Sequence, residues 1–387
     1  MENIYLDAAS TTKPFDSVVK VVNKVNESMW QNPSGLYKGG YDAKQAIETA
    51  RKQVAKVISA SKKGIIFTSC GSESDNQTLI KIAEIKNDES DKNIIVTSAI
   101  EHHAILNTCK YLSRRGFETI ILPVNKYGFV ELESLEDTIK KYKDKIALVS
   151  IMAANNEIGT IQKFSWFGQM CRSNGILFHT DAVQAYGHIP IDVRRDNIDL
   201  LSASAHKINS VRGAGLLYCD PESVAIKPLI NGGHQEFGLR AGTENTAAIV
   251  GFGEAAELHT GLKGLVSNGA DSVLRDTFYK NLVNSIEDVE LNGSVATRLP
   301  NNLNVRFKGV NSQQLQSLLA EKGIYCSIGS ACNNGDPTPS HVLKAIGLSD
   351  EEVFESVRFT FDNYSVKSSE LHQAILWIQY FVKELRG

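Results

Sequence analysis

Short apolar runs, rich in β-branched residues, recur along the first two thirds of the chain. They lie at 64–69 (GIIFTS), 93–98 (NIIVTS), 119–124 (TIILPV), 146–152 (IALVSIM), 176–182 (ILFHTDA), 199–205 (DLLSASA) and 214–219 (AGLLYC). Runs of this length suit strands that are covered on both faces. Upstream of them, 43–58 sets Ile47, Ala50, Val54, Val57 and Ile58 on one helical face. Helical or loop segments separate most of the runs, which predicts βαβ units and an α/β fold with a mostly parallel, seven-stranded sheet flanked by helices. Polar residues stand just after the strands: Ser69 to Ser74, Glu101 and His102, Asn155 and Asn156, Asp181, His206 and Lys207. Ligands of open α/β sheets bind at the carboxyl ends of strands, so several loops are expected to assemble one site.

The last third has a different pattern. A helix around 270–287 leads to a strand at 302–307 (NLNVRF), a helix at 312–322 and a short strand at 324–327 (IYCS). A Gly/Asn/Pro-rich loop at 328–339 follows, then a strand at 357–361 and a helix at 367–385. This predicts a smaller α+β domain. The boundaries expected are 15–258 for the large domain, with 1–14 and 259–387 forming the small one.

Lys plus Arg number 41 and Asp plus Glu 44, a net charge of −3 in 387 residues. That balance carries no global signature of nucleic-acid binding. No apolar run approaches the ~18 residues that suggest a bilayer span. The first residues lack a basic segment followed by an apolar one, so a cytoplasmic, non-membrane protein is expected. The six cysteines, Cys70, Cys109, Cys171, Cys219, Cys326 and Cys332, are scattered and include no C-x-x-C pair. Neither a disulfide framework nor a metal site is expected.

Lys207 follows a buried-strand pattern, in SASAHK. A lone lysine there is ordinarily an exposed loop residue, but a desolvated one can form a Schiff base with a carbonyl cofactor. Pyridoxal phosphate also needs a carboxylate for its pyridinium nitrogen, and Asp181 ends a strand where it can serve, or can instead cap a helix. The turn FTSCGSESDN offers backbone N–H groups for a phosphate at a helix start, with Ser72, Ser204 and His206 as further donors. His102 is either a proton carrier beside a cofactor ring or a helix-terminal histidine, and His103 is expected to face elsewhere. Cys332 sits in a loop, where a thiolate is accessible, whereas Cys326 reads as core. Arg358 is either a bidentate clamp for a substrate carboxylate or a surface ion-pair residue.

These segments, in order, resemble the group I, NifS/IscS-like cysteine desulfurases of the class V aminotransferase-like enzymes. They are YLDAASTT, NPSGLYKGG, FTSCGSES, EHHAIL, NNEIGT, HTDAVQA, SAHK, GGHQEFGLRAGTEN, GSAC and SVRF, and they span nearly the whole chain. The resemblance implies the fold type I of pyridoxal-phosphate transferases. It implies that Lys207 is the Schiff-base lysine, that Asp181 pairs with the pyridinium nitrogen and Gln184 with the phenolic oxygen, and that His102 stacks on the ring. Gly71, Ser72, Ser204 and His206 align with phosphate binders. Thr243 aligns with a residue that reaches the phosphate of a neighbouring subunit, which implies a homodimer. Asn155 and Arg358 align with the site for the carboxylate of L-cysteine, and Cys332 with the nucleophile that accepts sulfur as a persulfide while L-alanine leaves. A sulfur-acceptor protein is implied as partner. DNA phosphorothioation, tRNA thiolation and iron–sulfur assembly are the open pathways.

The chain departs from the family pattern at several places. Cys70 and Ser72 stand for Gly and Thr, INSVRG follows Lys207, His234 and Phe237 interrupt GGHQEFG, Tyr37 and Tyr41 replace basic residues, Ile328 replaces Ser, and FDN follows the Arg358 strand. Such drift points to a pathway-dedicated member. Selenocysteine lyase or another C–S lyase on the same fold is the first alternative. A catalytically weak binding subunit of a sulfur-transfer complex is the second.

Overall fold

The computed structural model describes residues 3–260, 269–328 and 338–387. A two-residue strand near the start, β1 (Ile4–Tyr5), precedes the strands of the large sheet. These are β2 (Ile65–Thr68), β3 (Ile94–Ser98), β4 (Glu118–Leu122), β5 (Ile146–Ser150), β6 (Phe178–Asp181), β7 (Leu200–Ser204) and β8 (Gly215–Cys219). They lie in the order β2-β8-β7-β6-β5-β3-β4. Only β8 runs antiparallel to its neighbours; the other pairs are parallel. This is the α/β architecture that the spacing of the apolar runs predicts.

Side chains alternate between two cores, as the period of a strand requires. Phe67, Val96, Val149, Leu201 and Leu216 face a core that holds Ile47, Val54 and Phe252 of the helices Lys38–Val57 and Thr246–Thr260. Their neighbours Ile66, Ile95, Leu148, Leu200 and Leu217 face the helices Gly71–Ser90 and His103–Ser113, through Leu79, Ile82, Ile105 and Leu112. A strand buried on both faces has no polar side to display, which is why these segments read as continuous apolar runs. β4 lies at the edge, and there Ile121 is exposed.

The last third adds β9 (Val289–Leu291), β10 (Asn302–Phe307), β11 (Ile324–Tyr325) and β12 (Ser356–Thr360). An antiparallel sheet β12-β10-β9 forms, and β1 pairs in parallel with β11. Leu6, Phe278, Val305, Leu319, Phe359 and Ile378 share this core. The chain start is thus built into the packing of its end. The strand expected at 324–327 stops at Tyr325, although Ser327 bridges to Arg358. The helices Asp16–Ser28, His341–Ala345 and Asp350–Phe354, and strand β9, are additional to the elements read from the sequence. A further apolar cluster joins Ile100, Met152 and Ile158 of the large-sheet loops to Val342, Leu343 and Ile346.

Candidate active site

A cavity of about 340 Å³ opens beyond the carboxyl ends of β2, β3, β5, β6 and β7. Its residues come from separate loops, and local chemistry fixes each one. At one end the helix Gly71–Ser90 begins. A Cβ on Gly71 would stand 2.5 Å from Val183 Cγ2, and one on Gly215 would stand 2.6 Å from the Cys70 carbonyl carbon. Only the absence of side chains lets this turn pack so low. Glu73 reaches back to accept from the Ser69 N–H at 2.8 Å and pairs with Arg240 at 2.9 Å, which secures the turn. Ser72 is exposed at the helix start, and Ser204 Oγ is buried without a hydrogen-bond partner among the described residues. Burial, then Lys207 and Arg212, push the His206 imidazole down to about 4, so it is neutral. A helix N-terminus, small residues and an unsatisfied hydroxyl together fit a phosphate group.

Behind the middle of the cavity, Asp181 is almost fully buried, and its Oδ1 accepts the Val183 N–H at 2.9 Å. Burial raises its pKa, against opposing pulls from His102, that N–H and Lys207. Asp75 lies next to it, fully buried, with Oδ1 unpartnered and its pKa raised by burial and by Asp181. His179, 3.8 Å from Asp75, offers no charge, because burial pushes it down to about 3. Two buried carboxyl groups facing one cavity fit a cationic ring nitrogen. Lys207 Nζ is held at the cavity by the carbonyls of Ala9 and Ser10, the latter at 2.8 Å, and Gln184 Nε2 donates to Ala9 O at 3.0 Å. His102 caps the helix His103–Ser113, Nδ1 accepting the Ala104 N–H at 3.1 Å, and its ring lines the cavity. The helix-terminal reading of His102 holds, and the capping role leaves its ring on the cavity wall.

Arg358, from β12, also reaches the cavity. It is buried, not superficial: it pairs with Asp7 at 2.7 Å and donates to Ser10 Oγ and the Asn156 carbonyl at 2.9 Å each, while Nε has no partner among the described residues. Asn155 differs from its expected place. It is fully buried; its amide oxygen accepts from the N–H groups of Glu157 and Ile158, and its nitrogen donates to the Ile100 carbonyl at 2.8 Å. The residue that lines the cavity is its neighbour Asn156, because the Asn155 side chain is spent on folding the loop. His103 also departs from expectation: it lines the cavity, its ring 4.8 Å from that of His341. His341, Glu157 and Asp75 are lining residues that the sequence reading did not single out. Thr243 is exposed and does not line this chain's cavity. Cys332 lies outside the described residues. Cys326 is core, its thiol pushed up to about 12 by burial. Among the described residues no group of His, Cys, Asp and Glu has the arrangement of a metal site, and no helix is long and apolar enough to cross a membrane.

In the divergent GGHQEFG segment, Glu236 forms a bidentate, buried pair with Arg51 (2.6 and 2.7 Å) and accepts from the Phe67 N–H of β2. Phe237 covers the Arg51 guanidinium from outside, its ring centroid 5.0 Å away. The substitution to Phe therefore leaves the anchor of this segment on the sheet intact.

Residues 4–370 match the family model described as aminotransferase class-V. The chain is 43% identical over 384 residues to a protein named cysteine desulfurase IscS from Methanosarcina thermophila, covering 99% of this chain and 93% of that one. Among solved structures, a NifS-like protein superposes with a TM-score of 0.90 at 35% identity, over 99% of this chain and all of that one. A structure titled SspA in complex with cysteine superposes with a TM-score of 0.82 at 34% identity, over 94% of this chain and all of that one. With a family match across the cavity-forming strands and full-length likeness at this identity, the chain belongs to the class V aminotransferase family, among its NifS/IscS-like cysteine desulfurases.

Proposed function

We propose that the protein is a pyridoxal-phosphate-dependent cysteine desulfurase that converts L-cysteine to L-alanine and carries the sulfur as a persulfide on Cys332. The observation that carries this reading is the convergence of Lys207, Asp181, His102 and Arg358, from four separate segments, on one cavity with a phosphate-compatible end. Gly71, Ser72, Ser204 and His206 hold the phosphate, Asp181 the ring nitrogen, Gln184 the phenolic oxygen, and His102 covers the ring. Bound there, pyridoxal phosphate supplies an electron sink conjugated to the substrate α-carbon. Lys207 takes and returns the proton at that carbon, a task that its two carbonyl contacts prepare by fixing Nζ at the wall. Arg358, on the cavity wall, binds the substrate carboxylate. Asn155 supports that end by shaping the loop that presents Asn156. Residues 1–14 and 259–387 form the small domain, which carries the Cys332 segment. The enzyme works as a homodimer, with Thr243 of each chain reaching the partner's phosphate, and passes its persulfide to an acceptor protein.

The test is to incubate the holoprotein with L-cysteine and a reductant and to quantify alanine and sulfide, with Cys332→Ala alongside. Equal alanine and sulfide from the wild type, and neither from the variant, is the expected result. Pyruvate and ammonia, or an unaffected variant, would establish an elimination-type lyase and overturn the persulfide route.

A further inference from the structure

His341 begins the helix His341–Ala345, and several contacts fix its place. Ser340 caps this helix by accepting the Leu343 N–H at 3.2 Å, and its hydroxyl donates to Glu157 Oε2. Val342, Leu343 and Ile346 pack on Ile100, Met152 and Ile158. His341 Nε2 lies 2.9 Å from the Glu101 carbonyl oxygen. A carbonyl only accepts, so Nε2 carries the proton. Burial and the charges of His102 and Lys110 lower the imidazole pKa, and His103, also lowered, packs against it at 4.8 Å. The neutral ring therefore presents Nδ1 as a bare acceptor, and no described residue bonds to it.

The proposed function assigns the substrate's carboxylate to Arg358, its α-carbon to Lys207 and the cofactor ring to His102. His341, His103 and Glu157 line the same cavity and take no part in that assignment. We infer that His341 Nδ1 accepts a hydrogen bond from the thiol of bound L-cysteine, with His103 packed behind it, so that this pair recognises the substrate's sulfur. The inference rests on the desulfurase reading and adds the residue that tells a thiol from a methyl group at the same position. Glu157 and Ser340 are positioning residues in this arrangement, since they act through His341.

The experiment compares L-cysteine with L-alanine, which lacks only the sulfur. Both are titrated into the holoprotein in a Cys332→Ala background, with binding read from the visible absorbance of the cofactor. His341→Gln keeps an N–H donor for the Glu101 carbonyl and removes the acceptor at Nδ1. It should weaken L-cysteine about fivefold, the worth of one neutral hydrogen bond, and leave L-alanine within about twofold. His341→Asn places an amide oxygen near the Nδ1 position and should recover part of the cysteine affinity. Equal weakening of both amino acids, or an unchanged cysteine affinity, overturns the inference, and the alanine titration shows that each variant is folded. Alanine formed from cysteine in the Cys332→Ala background would instead overturn the persulfide reading, while the ratio of the two initial affinities still decides the role of His341.

Discussion

Glu101 shows how much the surroundings of a single residue decide. Its side chain is fully buried; Oε1 accepts from the Ser98 hydroxyl and the Met152 N–H at 2.9 Å, and Oε2 has no partner among the described residues. Burial pushes its pKa up to about 8. Between the ordinary carboxyl value and about 8, the folded state holds a proton that the unfolded chain has lost. Stability therefore falls as pH rises through that window, by as much as about 1.4 kcal/mol per pH unit from this group. Glu101→Gln removes the titration. Its stability relative to the wild type should rise steadily from about pH 5 to 8 and level off above, as urea denaturation at a series of pH values would show. A constant difference across that range would mean that Glu101 is ionised in the fold. In the sequence, Glu101 is visible only as a polar residue after a strand. Asp75, Glu157 and His341 do not stand out in the sequence at all, because their facing depends on packing across the molecule. Lys207, Asp181, His102 and Arg358 were legible because they stand at strand ends or in a strand inside motifs that resemble a family. His103 was misread because the His341 helix, which makes it part of a wall, carries no pattern of its own in five residues.

Among the elements, the helix Gly71–Ser90 does most to define the cavity. Its N-cap, Cys70, makes no side-chain cap bond, and Gly71 and Ser72 of its first turn line the site. Val183, following β6, presses against the Gly71 position, and a β-branched side chain has little freedom to retreat. Gly71→Ala should therefore tilt or lift the first turn. Titration of the apo-protein with pyridoxal phosphate should show affinity reduced about tenfold, a loss of ~1.4 kcal/mol. Unchanged affinity would mean that the phosphate does not sit on this turn. Six of the seven long-sheet strands were readable because they are covered on both faces and so are mostly apolar, and the edge strand β4, with Glu118 and Ile121 exposed, was readable from its short apolar run. β9, with its three partly buried or exposed residues, and the helix Asp16–Ser28, with only Val18 and Val25 buried, offer far weaker patterns. Their places follow from the neighbours they pair with or pack on.

At the scale of the whole molecule, the proposed homodimer turns on Thr243, which is exposed and does not line the cavity of its own chain. Trp30, Leu36, Tyr37 and Tyr41 are exposed beside or on the helix Lys38–Val57, and Phe237 is exposed against Arg51 of that same helix. Such a concentration of large apolar side chains is what an interface between subunits would cover. A stable interface buries roughly 1,600 Å² in total. Light scattering behind size exclusion should give twice the mass of one chain. Replacing Trp30 and Tyr41 together with Glu should shift the protein to monomer and weaken pyridoxal phosphate binding, because each site then loses the partner's Thr243. Thr243→Ala should weaken the cofactor in the same direction while the dimer persists, which separates the loss of a phosphate donor from the loss of the interface. A monomeric wild type that holds the cofactor as tightly as either variant would mean that each chain completes its own site, and the exposed aromatic group would then need a different partner.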